Sequence, residues 1–313
     1  MNIKDKILQF KPVARVIEVS KKIVLPGFDG VPLYNVAKFF IEGIYKGSIS
    51  SRASSISYSF FLALFPMVIV FFTLIPFIPI ENFQSILLNF IKNVTPDSTE
   101  VVIESTIVDI VKRPRGGLLS ITFVMALIFA TNGFDAMIES FNNTFHTIES
   151  RSWIKQKLIS SLLFLIISVI IIVAIALLTT GTFVFKFLLQ KGILHSNIYF
   201  YVLEFVKWII LLSMTFFSIS FIFYLAPAKE SKFRFISAGS SLATILALFA
   251  SLAFNYYVQN FSSYNALYGS IGTLLILLIW IHFNSMILLI GFELNASIQQ
   301  ASKEKGGDIP LAT

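Results

Sequence analysis

The chain has no cysteine, which excludes thiol catalysis, thiolate metal sites and a disulfide-stapled secreted fold, while saying nothing of redox compartment. Charge is scarce as well. Asp, Glu, Lys and Arg make up 13% of the residues, against about one quarter in soluble domains, so the chain lacks the polar surface of a water-soluble protein. Its three histidines, His146, His195 and His282, are scattered, and there is no G-x-x-x-x-G-K-[ST], G-x-G-x-x-G or H-E-x-x-H. A hydrolytic nuclease built on two metals needs a dense carboxylate and histidine cluster facing water, and only Asp135 and Glu139, on a short helical extension, approximate one. What abounds is apolar: 56% of the residues are hydrophobic, 34 are phenylalanine, and the mean hydropathy is +0.82. Such a composition also excludes intrinsic disorder.

A bilayer core of ~30 Å takes about 20 apolar residues per helix. Uncharged runs of that length occur from Ala53 to Ile80, Gly116 to Phe134, Leu158 to Phe185 and Trp208 to Ala228. A longer one, Phe235 to Phe292, is divided by Asn255 to Tyr268 (NYYVQNFSSYNALY), which reads as a turn between two helices. The expected fold is therefore all-α, a polytopic membrane helix bundle with six transmembrane helices.

The net charge of +7 is unevenly placed. Lys and Arg crowd the segment before the first span (Lys4 to Arg52) and the connections Arg151 to Lys157 and Lys229 to Arg234, with Lys303 and Lys305 in the tail. The alternate connections carry only Lys92, Lys112, Arg113, Arg115, Lys186 and Lys191. The positive-inside rule then sets both termini in the cytoplasm, and makes membrane lipids of the anionic inner leaflet the expected partner. No nucleic-acid partner is expected, because no folded polar domain interleaves Arg and Lys with aromatics. Self-association is left open.

No cleavable signal peptide is expected, since residues 1–52 are charged throughout. Within them Val36, Phe39, Phe40, Gly43, Ile44 and Gly47 recur at helical spacing, opposite Lys38, Glu42 and Lys46, as in an interfacial amphipathic helix. An earlier amphipathic stretch lies around Lys6 to Val24. Residues 53–296 form the transmembrane domain, and 297–313 a cytoplasmic tail. Between the first two spans, residues 81–115 fit an extracytoplasmic helical hairpin broken at Thr95-Pro96, with Asp97 and Glu100 as a capping box.

Ionisable groups inside a span are functional candidates by default. Asn132, Asp135, Glu139, Asn142 and His146 follow spacings of three and four on one helix face, opposite Phe134, Met137, Ile138, Phe141 and Phe145. That stripe can bind a cation, relay protons or guide a polar group; it can equally be the hydrated side of a helix leaving the membrane. Glu204 and Lys207 stand one turn apart and can neutralise each other or line a pathway. His282 and Glu293 share a helix face ~16 Å apart, too far for one metal or one proton. His282 reads as an interhelical hydrogen-bonding group or a proton carrier, and Glu293 as a group at the cytoplasmic boundary. Arg52, at the first helix entrance, is a candidate contact for an anionic head group. Gly239, Ala243, Ala247, Ser251 and Asn255 form a small-residue line that reads as a packing seam. Pro66, Pro76, Thr179 to Thr182 and Gly269 to Gly272 are candidate helix irregularities. No metal site and no cofactor is expected.

Several segments together resemble the YihY/virulence factor BrkB family of bacterial membrane proteins: Ser54 to Pro66 (SSISYSFFLALFP), Asn132 to Phe145 (NGFDAMIESFNNTF) with Arg151-Ser152-Trp153, and Tyr264 to Ile281 (YNALYGSIGTLLILLIWI) followed by Leu289 to Ala296 (LIGFELNA). The likeness covers roughly residues 35 to 300. It implies six membrane helices with cytoplasmic termini. It also brings a historical ribonuclease label and an association of some members with virulence or envelope lipid assembly. Ala226-Pro227-Ala228 stands where many members have a Leu-Pro-Asn-like turn. The expected function is translocation, without ATP, of a lipid or other amphipathic envelope component. The alternative is a non-catalytic scaffold in envelope assembly or virulence; a membrane-bound hydrolase or ribonuclease has the least physical support.

Overall fold

The structure, a computed structural model, describes residues 11–74, 116–144, 151–190, 196–228, 234–260 and 270–306. The hairpin expected over 81–115, together with Pro76, His146 and His195, lies outside these residues. Eight helices occur among the described residues, and no strand: α1 (Lys11–Ser20), α2 (Leu33–Lys46), α3 (Ile49–Leu74), α4 (Gly116–Asn142), α5 (Trp153–Gln190), α6 (Ser196–Leu225), α7 (Ala238–Asn260) and α8 (Ser270–Gly306). The six helices α3 to α8 are long and apolar enough to cross a membrane. In lipid such internally hydrogen-bonded helices leave no backbone group unsatisfied.

The clearest lipid-facing helix is α5. Its apolar window has a mean hydropathy of 3.3 and only 6% of it is buried. Leu158, Leu162, Leu165, Val169 and Ile172, spaced four, three, four and three apart, are all exposed. In water such a stripe would be a large aggregation hazard; against acyl chains it is at home. The helix runs unbroken through Thr179 to Thr182, and α3 runs through a buried Pro66 without ending, so neither irregularity interrupts its span. Two boundaries also differ from expectation. Asn255 to Asn260, read as part of a turn, continues α7, because nothing there breaks a helix and the tyrosines suit an exposed helix end. The last helix passes Ala296 and extends to Gly306, burying Ser297, Ile298 and Ala301 on the way.

The chain divides into two compact units, residues 1–57 with 134–313 and residues 58–133. In the smaller, the Phe60 ring lies against Gly133, where an added Cβ would meet it at 3.0 Å, and Phe61 meets Phe65 edge-on with centroids 5.3 Å apart.

In the larger unit α7 packs along α8, α5 along α6, and α2 along the C-terminal part of α8. The α7–α8 crossing depends on small residues. A Cβ at Gly291 would meet the Ala243 Cβ and the Gly239 carbonyl oxygen at 2.7 Å, and one at Gly239 would run into the Gly291 carbonyl. Close backbone approach of this kind is how membrane helices gain dispersion contacts. The expected seam is thus used at Gly239 and Ala243, while Ser251 and Asn255 further along are exposed. A phenylalanine cluster joins three other segments: Phe141 of α4 stacks on Phe292 of α8 at 4.4 Å, and Phe223 of α6 meets both edge-on at 5.7 Å. The apolar face of α2 is covered by protein. Val36 is packed with Phe28, Val31, Leu294, Ile298 and Ala301.

Candidate functional site

Antiparallel traverses bring the start of α3, the end of α4, the start of α5, the end of α6, the start of α7 and the last third of α8 to one end of the larger unit. The polar side chains gather there, for a local reason. Helix ends leave four donors or four acceptors without an intrahelical partner, and in an apolar setting these must be satisfied by side chains.

Arg52 answers this at the end of α4. Its guanidinium donates to the carbonyl oxygens of Ser140 (2.9 Å) and Asn143 (3.2 Å), placing a cation at the negative end of the helix dipole. The same group meets the Glu293 carboxylate of α8 at 3.4 Å. The Glu293 side chain is 0% exposed and that of Arg52 11%, so this is a buried ion pair. Gly43 of α2 lies directly on the Glu293 carboxylate, leaving no room for a Cβ. The end of α6 is held in the same manner. Arg151 donates to the carbonyl oxygens of Leu225 (3.2 Å) and Pro227. The buried Asn142 donates to the Ala226 carbonyl oxygen at 3.4 Å and accepts from the Ala228 N–H at 2.8 Å. At the start of α7, Ser237 accepts from the Ser240 N–H at 3.1 Å, the usual N-cap bond, while Asn295 of α8 accepts from the Gly239 N–H at 2.8 Å and donates to the Ser237 hydroxyl at 2.9 Å. One turn deeper, the Ser57 hydroxyl donates to that of Ser285 at 3.4 Å, tying α3 to α8.

This layer is largely buried, with the Arg52–Glu293 pair inside it; a second polar feature is more open. Asp135 on α4 pairs with Lys157 and accepts from the Ser160 hydroxyl, both on α5. Its side chain is 17% exposed and that of Lys157 32%. Asn132 and Glu139, on the same face of α4, are exposed, whereas Phe134, Met137, Ile138 and Phe141 are buried. The stripe read from the sequence thus divides: Asn142 is structural and internal, and Asn132, Asp135 and Glu139 border the flank of α4. Glu204 and Lys207 form their i,i+3 pair at 3.1 Å on a half-exposed face of α6, far along the chain from this end. His282 is half-buried on α8, its ring 6.4 Å from that of Phe283. Among the described residues no three His, Asp or Glu side chains come together in a way that could hold a metal ion.

Arg52 and Glu293 were separate candidates in the sequence, one as a head-group contact and one as a boundary residue. The structure joins them. A lone carboxylate in a membrane helix demands a counter-charge at its own depth, and Arg52, at the first helix entrance, was available on that ground. The clamping roles of Arg151 and Asn295 left no local signal, since both act on chain distant in sequence.

The virulence factor BrkB family model matches residues 40–312. Among curated relatives, the ribonuclease-like protein YfkH of Bacillus subtilis is 30% identical over 253 residues, covering 81% of this chain and 91% of its own length. A UPF0761 membrane protein of Haemophilus influenzae is 25% identical over 88% of this chain and 98% of its own, and another from Mannheimia succiniciproducens 27% identical over 85% and 90%. No solved structure matches the chain. Together with the six apolar helices, the match establishes the chain as a membrane protein belonging to the virulence factor BrkB family.

Proposed function

We propose that the protein moves a lipid, or another amphipathic component of the cell envelope, across the bacterial inner membrane without ATP. The observation that carries this reading is the partly open polar flank at Asp135 and Lys157, anchored from beneath by the buried Ser160 hydroxyl. A polar group kept only to fasten helices is best sealed, as Arg52 and Glu293 are, because exposure to acyl chains costs several kcal/mol, of order 2–7 for an unpaired polar group. Asp135 and Lys157 instead neutralise each other while remaining accessible, with Glu139 and Asn132 beside them. A head group can slide along such a stripe while its chains stay in the bilayer.

In this reading both termini face the cytoplasm and the largely buried layer lies at the cytoplasmic end, in keeping with the crowding of Lys and Arg there. The ribonuclease-like name of the Bacillus relative raises a nuclease alternative, which the scattering of carboxylates and histidines among the described residues does not favour. The test is reconstitution in vesicles carrying fluorescent phospholipids with several head groups. The proposal expects faster exchange between leaflets than in empty vesicles. No acceleration for any head group would remove it and leave a scaffold in envelope assembly or virulence as the better account.

A further inference from the structure

The helix α2 runs antiparallel along the end of α8: Gly43 lies against Glu293, and the start of α2 lies beside Glu304 and Lys305. Between them is a half-open pocket of about 270 Å³ lined by Tyr34, Asn35, Lys38, Phe39, Glu304 and Lys305. Its volume falls just below the range that takes drug-sized ligands, about 300–1,000 Å³, and suits a small polar group. Two ammonium groups and one carboxylate leave it one net positive charge. Lys305 uses one of its three donors on the Gly30 carbonyl oxygen at 3.0 Å, and Lys38 stands over the Phe39 ring at 5.8 Å. Tyr34 and Asn35 add neutral polar groups.

What lies beyond the pocket indicates the ligand. Tyr34, Lys38, Ile41 and Tyr45 follow one another at four, three and four residues, on the face of α2 opposite the buried Val36 and Gly43. Ile41 is 54% exposed and Tyr45 86%. One helix face therefore carries a lysine-bordered pocket and, about 10 Å further on, two bare apolar side chains. The direction is that of an amphiphile, because the bare side chains lie toward the apolar body of α8 and the lysines toward its charged end. We propose that this face binds a phospholipid, the phosphate seated between Lys38 and Lys305 and the acyl chains following Ile41 and Tyr45.

This site is apart from the α4–α5 flank and is read by binding alone, so its failure and the failure of the translocation proposal are distinguishable. The experiment uses the full chain in detergent micelles with spin-labelled phosphatidylglycerol, and measures the immobilised fraction by electron paramagnetic resonance. Spin-labelled diacylglycerol and inorganic phosphate are the comparison probes. Phosphatidylglycerol should be immobilised and diacylglycerol not. Lys38→Ala should weaken the association about tenfold, the worth of one charge-assisted hydrogen bond, and Lys38→Arg should keep it. Ile41→Asn should weaken it too. The thermal midpoint of Lys38→Ala should match the parent, showing that binding rather than folding was lost. Equal immobilisation of both lipids, or parent-like binding by Lys38→Ala and Lys305→Ala, would overturn the proposal. So would release of the lipid by millimolar phosphate with no effect of Ile41→Asn, which would make free phosphate the ligand.

Discussion

The Arg52 guanidinium meets the Glu293 carboxylate at 3.4 Å, across 241 residues of sequence, and at the same time holds the Ser140 and Asn143 carbonyl oxygens at the end of α4. One cation thereby fixes α3, α4 and α8 to each other. Breaking a buried pair from one side strands the other charge, at a cost of roughly 3–5 kcal/mol. Arg52→Leu and Glu293→Leu should each lower the thermal midpoint in detergent strongly. The double variant should be less destabilised than the two single losses combined, because no charge is left uncompensated. Additive losses in that cycle would mean the two residues act independently.

Gly43 is required by contact rather than by backbone conformation. A methyl group there would occupy the space of the Glu293 carboxylate. Gly43→Ala should therefore destabilise the protein by about 1–3 kcal/mol, as overpacking does, although alanine is the better helix former. In a Glu293→Ala background the same substitution should cost little, since the obstructing side chain is gone. Denaturation of the four proteins in one detergent measures both effects.

Much of the fold was legible in the sequence because the bilayer demands so much of it. Long apolar runs, the lipid face of α5 and the small residues at Gly239 and Ala243 all follow from local pattern. The helix limits were less so: nothing in Asn255 to Asn260 distinguishes a turn from an exposed final turn of α7, and Ser297 to Gly306 turned out to be helix packed against α2. The candidate site was only half visible. The face of α4 with Asn132, Asp135 and Glu139 is a matter of helical period, whereas Asp135's partners on α5 and the Arg52–Glu293 pair depend on which helices adjoin, which no local spacing reveals.

The absence of cysteine makes the topology directly measurable, because a single introduced thiol reacts without background. Lys155, at the start of α5, and Tyr201, near the start of α6, are exposed and lie at opposite ends of the traverse made by α5. With cytoplasmic termini, Lys155→Cys should resist a membrane-impermeant maleimide in intact cells and react after lysis, while Tyr201→Cys should react in both. The reverse pattern would invert the orientation; equal labelling of both in intact cells would contradict a crossing between them.

The translocation account rests on the accessible pair Asp135 and Lys157, and its most direct test is leaflet exchange in vesicles by charge variants of that pair. Asp135→Asn and Lys157→Gln should each slow exchange of a head-group-labelled phospholipid by about tenfold, the effect of one charge-assisted hydrogen bond, while Asp135→Lys with Lys157→Asp should recover most of the rate. Exchange by both single variants at the parent rate, in proteins that fold normally, would contradict the account.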